Sequence, residues 1–199
     1  MPRRTVPVVA GLVYHVTNRT GPGRTLFDSR SAYQAFIELM AEALAIRPVR
    51  LLAFCIMPTH WHLVIWPETD DDVERFVAWL SLTHARRFNR YRNTSGPVYP
   101  QRFEAIPIES GTALYRAIRY VERNPCAAGL ASRASAWPWS SAAQHSRIRL
   151  AEWPVPRPAD WEDYVEIEIE SPELTEIRRC LKEEPLRRLR LRKSDSTDW

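Results

Sequence analysis

No stretch of this chain sustains the roughly 20 apolar residues that cross a bilayer, so no membrane partner is expected. The first residues, Met1-Pro2-Arg3-Arg4-Thr5, are basic but lack the apolar segment and small-residue cleavage site of a secretory signal. Cysteine is scarce: Cys55, Cys126 and Cys180 are odd in number, far apart and outside any zinc-binding spacing. Free thiols in a reducing cytoplasm are the expectation, with Cys55 a plain core residue of the apolar run Leu51 to Met57. No internal repeat is visible. What remains is the make-up of a soluble globular protein, 199 residues with 45% hydrophobic and 26% charged, enough for one domain with an appendage.

The net charge of +4 is mild but unevenly spread. Between Asp72 and Arg102 six arginines (Arg75, Arg86, Arg87, Arg90, Arg92, Arg102) face only Asp72 and Glu74. From Leu150 to Glu176 one arginine faces nine acids, and from Ile177 to Lys193 eight basic residues face Glu183 and Glu184. A basic central body with aromatics nearby suits a polyanion such as nucleic acid, with Arg86, Arg90 and Arg102 as candidate phosphate contacts. A solvated helix face accounts for the same charges.

Alternation and β-formers predict a first strand over Leu12–Arg19, broken by Gly21-Pro22-Gly23. Asp28 or Ser29 can cap a helix over Arg30–Ile46 that turns Tyr33, Phe36, Ile37, Met40 and Leu44 to one face, and Arg47-Pro48 ends it. Leu51–Met57 reads as a short apolar strand, Pro58-Thr59 as a bend and His62–Trp66 as a third strand. A second helix over Asp72–Arg92 places Val73, Phe76, Val77, Leu80 and His84 inward. Phe103–Ile108 gives a fourth strand, where Pro107 demands an edge or a bulge. A third helix over Thr112–Arg123 is expected to stop ahead of Pro125. The order β-α-β-β-α-β is that of an α+β, ferredoxin-like antiparallel sheet with helices on one face, a further helix following the fourth strand. Residues 1–146 form this domain. Residues 147–199 form an appendage, acidic and then Arg-rich, with one helix near Ser171–Lys182.

Candidate chemistry comes from two places. In Met57-Pro58-Thr59-His60-Trp61-His62 the histidines are two apart, so on a strand they share one face and Trp61 takes the other. Neighbouring imidazoles can hold a divalent metal, the usual means of attacking a charged phosphodiester; a partly exposed strand pair is the plainer alternative. On the third helix Leu114, Ala117, Ile118 and Val121 face the core, while Arg116, Tyr120 and Asn124 form one stripe along its flank. Tyr120 and Asn124 then offer a nucleophile and an oxygen ligand one turn apart. Tyr115 is an equal candidate by position alone, and a helix tyrosine beside a core is most often structural.

Four blocks in order, Tyr14-His15-Val16-Thr17-Asn18-Arg19, Met57 to His62, Arg119-Tyr120-Val121-Glu122-Arg123-Asn124-Pro125 and Trp137-Pro138-Trp139-Ser140-Ser141, resemble the single-tyrosine HUH transposases. HUH denotes histidine, a hydrophobic residue and histidine. Within that group the chain most resembles the REP-associated tyrosine transposases, over about residues 8–145. The resemblance implies the HUH endonuclease fold and a metal-dependent endonuclease and strand transferase acting on single-stranded DNA beside palindromic hairpins. It implies that His60 and His62 bind Mg²⁺ or Mn²⁺ with Asn124 completing the site. Tyr120 would form a 5′-phosphotyrosine, leaving a free 3′-OH. By the same resemblance the partner is hairpin DNA and the protein is a monomer or homodimer.

Several positions depart from the family pattern. Thr59 stands where Asn is frequent, and Pro100, Gln101 and Glu104 replace Gln, Gly and Lys in a block of which only Arg102 and Phe103 carry over. Cys126-Ala127-Ala128 lacks an arginine common after the Asn-Pro pair. His15 either faces the site or bonds a strand neighbour, and Arg116 and Arg119 are candidate phosphate contacts or a solvated face. Trp137 and Trp139 are expected to seal the core. Two further readings follow: a binding module for hairpin DNA without catalysis, and a two-histidine hydrolase of small phosphoesters.

Overall fold

The computed structural model describes residues 8–108, 111–143 and 147–180. Strands β1 (Val13–Arg19), β2 (Arg50–Met57), β3 (His60–Trp66) and β4 (Glu104–Ile108) form one antiparallel sheet in the order β2-β3-β1-β4. Helices α1 (Arg30–Ile46) and α2 (Asp72–Arg92) cover one face, packing on Tyr14, Val16, Phe54, Trp61, Leu63 and Ile65. Helix α3 (Thr112–Ala127) covers the other, against Val13, Cys55, Met57 and Val64. The two helices of the βαββαβ unit therefore share a face as expected, and the further helix closes the second. With both faces covered, β2 is an apolar run rather than an alternating one.

The helix stripes read from the sequence are buried, save that Leu44 at the end of α1 is half-buried. Ser29 caps α1, its hydroxyl accepting from the Ala32 N–H at 3.3 Å, and α2 buries Val73, Phe76, Val77, Leu80 and His84. Pro107 sits in β4 at the sheet edge, paired only with Tyr14, where its missing N–H costs no ladder bond. Trp137 donates its indole N–H to the Ile56 carbonyl at 3.0 Å, and Trp139 stacks on Tyr33 at 5.0 Å, so this pair does seal the core.

Two boundaries differ from expectation by more than one residue. Strand β3 begins at His60 rather than His62, because Met57 pairs directly with His60 across the two-residue turn Pro58-Thr59. That turn is pinned from outside: Thr20 donates to the Thr59 carbonyl at 3.0 Å and Leu26 to the Pro58 carbonyl at 2.8 Å. Helix α3 runs through Pro125 to Ala127. Proline in the last turn removes one helical hydrogen bond, and the end is closed by Leu130 N–H to the Pro125 carbonyl (2.9 Å) and Gly129 N–H to the Cys126 carbonyl (3.0 Å). Gly129 has φ +68°, the left-handed conformation this closure needs.

Residues 147–180 pack onto the domain. Ile148 joins the core under α1 and α2, while Trp161, Val165 and Ile177, from α4 (Trp161–Glu166) and α5 (Ser171–Cys180), join the core under α3. The buried Glu122 of α3 accepts from Ser141 Oγ at 2.6 Å and Trp161 Nε1 at 3.1 Å, tying the Trp-Pro-Trp-Ser-Ser block and α4 to one helix. The basic N-terminus Met1–Thr5, the domain boundary at 146, the Arg-rich run Leu186–Arg192 and the end of the expected helix at Lys182 lie outside the described residues. Among the described residues no helix is long and apolar enough to cross a membrane.

His84 carries a pH dependence. Its ring lies against Phe27 and Phe36, and its Nδ1 is hydrogen-bonded to Tyr99 Oη at 2.7 Å, an oxygen that also accepts from Trp61 Nε1 at 3.1 Å. Burial lowers its pKa to about 4. The unfolded chain, titrating near 6.5, binds a proton first, so this contribution is complete above pH 6.5 and is lost as pH falls toward 4. Urea unfolding at pH 7 and pH 4.5 should differ by at least about 2 kcal/mol; equal stabilities would contradict it.

Candidate metal and nucleophile site

The side-chain alternation of β1 and β3 sends His15, Thr17, His60, His62 and Val64 to the α3 face and Trp61 to the opposite core. In the ladder Thr17 lies across from His62 and Arg19 across from His60, which leaves His15 diagonal to His62. The diagonal is bridged: His15 Nε2 and His62 Nδ1 are 2.8 Å apart. His15 and His62 are buried, 4% and 6% exposed, while His60 at the strand's start is half-buried. The rings of His60 and His62 are 4.8 Å apart. His60 Nδ1 is 3.0 Å from Thr59 Oγ1, so the threonine that departs from the family pattern holds the first histidine as well as shaping the turn.

Leu114, Ile118 and Val121 are fully buried against the sheet, and this seating fixes the flank of α3. Tyr120, half-buried, is thereby brought edge-on to the imidazoles, its ring 6.2 Å from His15 and 6.1 Å from His62. Tyr115 is not: its hydroxyl donates to the Pro156 carbonyl at 2.6 Å and its ring packs on Trp153 and Trp161. The two tyrosines that were equal by position are thus separated by the fold. Asn124 donates its amide to the Tyr120 carbonyl at 2.8 Å, which leaves Oδ1 as the lone-pair atom of that side chain.

Burial lowers the His15 and His60 pKa values to about 4, with His60 charge adding to the effect on His15 and Arg19 to that on His60. His62 is driven well below the usual range by burial, then by its two histidine neighbours and Arg19. Neutral imidazoles have a lone pair for a cation. Both Nδ1 atoms are engaged, and His62 Nε2 is buried with no partner, an orphan that a cation would satisfy. Among the described residues no group of three or more His, Cys, Asp or Glu side chains is placed to hold a metal. Neutral imidazole nitrogens are ordinary ligands of a divalent metal, so His60 and His62 have the chemistry to hold one.

Residues 8–124, which include all of these side chains, match the family model described as "Transposase IS200 like". The chain belongs to the IS200-like transposase family. It is 27% identical over 124 residues to a candidate REP-associated tyrosine transposase of Haemophilus influenzae, covering 57% of this chain and 66% of the relative. The chain thus spans a little under two thirds of that relative's length. Its fold is similar to that of a REP-associated tyrosine transposase solved bound to a REP hairpin, with TM-score 0.60 at 18% identity, covering 79% of this chain and 98% of that one.

The arginines of this IS200-like transposase divide sharply. Arg119 must be corrected: only 3% exposed, it donates to the Ile167 and Glu168 carbonyls at 2.8 and 3.2 Å, pairs with Glu173 at 3.4 Å and lies 4.4 Å from the Tyr164 ring centre. The acidic appendage folds over that face of α3 and takes the arginine a phosphate would need. Arg116 is exposed on the same helix. Arg102 pairs with Glu74 at 2.6 Å, whereas Arg86 and Arg90 are exposed on α2, on the sheet face opposite the imidazoles. His15, expected either to face the site or to bond a strand neighbour, bonds His62, whereas sequence reasoning missed the Thr59 bond to His60 and exposed Arg19 across from His60. For Arg19 the only signal is strand register, since β1 and β3 are far apart in the chain, whereas Thr59 adjoins His60 in sequence.

Proposed function

We propose that this IS200-like transposase is a cytoplasmic enzyme that cleaves and rejoins single-stranded DNA beside a palindromic hairpin, as a monomer or homodimer. In this reading Tyr120 is the nucleophile, and His60, His62 and Asn124 hold Mg²⁺ or Mn²⁺. The observation that carries it is the Tyr120 ring centre, 6.1 Å from that of His62, whose Nε2 is unpartnered. The family match supports transposase chemistry, and the fold neighbour was solved with a REP hairpin.

A bound divalent cation would draw charge from the scissile phosphate and stabilise the charge developing in flight. Tyr120 Oη attacks phosphorus, the bond from phosphorus to the 3′ oxygen breaks, and the phenolic proton lost is balanced by the one the 3′ oxygen takes up. His15 holds His62 and Thr59 holds His60, each at Nδ1, which leaves the two Nε2 atoms for the cation. Seating of α3 keeps the phenol within reach. The product ester is close in energy to the phosphodiester it replaces, so a 3′-OH can reverse the step without ATP.

The test is a labelled hairpin oligonucleotide with single-stranded flanks, incubated with protein and Mn²⁺ or Mg²⁺. A denaturation-resistant adduct that EDTA prevents is expected. Hairpin retention without adduct in either metal would favour the binding module suggested by Pro100, Gln101 and Glu104. Hydrolysis of small phosphoesters without adduct would favour the hydrolase.

A further inference from the structure

We infer that His15 is a positioning residue: by accepting the Nδ1–H of His62 it fixes that ring in the tautomer whose Nε2 lone pair is free for a cation. The inference rests on the metal site proposed above. A nitrogen–nitrogen distance of 2.8 Å, ring centres 5.1 Å apart and planes within 9° describe two imidazoles lying edge to edge in one plane. The shared proton therefore lies in the ring plane, where a nitrogen lone pair points.

Two arrangements satisfy this bond. If His15 donates, His62 carries its proton on Nε2, and that buried atom is a donor with nothing to receive it. If His62 donates, its Nε2 becomes a bare lone pair, and the remaining proton sits on His15 Nδ1, also buried without a partner. Only the second arrangement makes His62 a ligand. Metal-bound histidines ordinarily donate their second N–H to a carboxylate, carbonyl or water. Here a second imidazole fills that role, reaching diagonally from β1. His15 Nε2 is committed to His62, so His15 belongs behind the ligand rather than on the metal.

The test uses the full chain, with Mn²⁺ alone as the probe. In ¹⁵N-detected spectra of the metal-free protein, His62 should show a protonated Nδ1 and a bare Nε2. In His15→Phe, which fills the space without an acceptor, His62 should lose that preference and Mn²⁺ affinity should fall about 10- to 100-fold. In His15→Gln, whose amide oxygen can accept the same proton, both should largely recover. A wild-type His62 protonated at Nε2, or unchanged tautomer and Mn²⁺ affinity in His15→Phe, overturns the inference. If His60→Ala leaves Mn²⁺ binding intact, the metal site itself fails and the inference with it. If His60→Ala abolishes binding while His15→Phe does not weaken it, only the inference fails.

Discussion

Tyr120→Phe is expected to leave hairpin binding intact and to remove the covalent adduct, a loss of at least about a thousandfold in strand cleavage. The substitution deletes one oxygen and keeps the ring that sits edge-on to His15 and His62, so the fold should hold. Tyr115→Phe gives the opposite pattern. It removes a 2.6 Å hydrogen bond to Pro156, costs about 1 kcal/mol of stability, and leaves adduct formation alone. The paired experiment is decided on a denaturing gel and a thermal melt. An adduct that persists in Tyr120→Phe and vanishes in Tyr115→Phe would reassign the nucleophile.

Arg119→Ala should destabilise the protein by about 3 kcal/mol, because it strands the Ile167 and Glu168 carbonyls and leaves Glu173 without its cation. The loss is local in origin. Arg123 also binds the appendage, through the Val165 and Glu166 carbonyls at 2.9 and 2.8 Å, and Trp161 through Glu122, so the appendage loosens rather than detaches. Limited proteolysis within residues 147–180 should accelerate, and strand cleavage should fall as the helix bearing Tyr120 loosens. The salt dependence of hairpin binding should not change, since a buried arginine releases no counterion from DNA. A salt slope reduced by about one phosphate contact, with stability unaffected, would restore Arg119 as a DNA contact.

These two residues mark how far the chain could be read before it folded. Helices α1 and α2 were legible because their apolar stripes alone decide which side is buried, and β4 announced its edge position through Pro107. The end of α3 was misjudged because proline predicts a stop, whereas Gly129 and Leu130 close the helix beyond it. The histidine pair was visible from strand period, and Tyr120 from the motif it shares with the family. The choice of Tyr120 over Tyr115 on physical grounds needed the appendage, whose Pro156 carbonyl engages Tyr115. Arg119 was misread for the same reason: helix periodicity shows a flank, and only the fold shows that α4 and α5 cover it. His15 depended on register between strands with a whole helix between them in sequence.

The convergence of imidazoles and phenol on one cation is tested most directly by a crystal structure with Mn²⁺ and a hairpin oligonucleotide, the metal located by its anomalous signal. The account predicts manganese bonded to His60 and His62 Nε2 and to an oxygen of the scissile phosphate, with Tyr120 Oη in line behind the phosphorus. Manganese bound elsewhere, or the scissile phosphate lying against another face of the sheet, would contradict it.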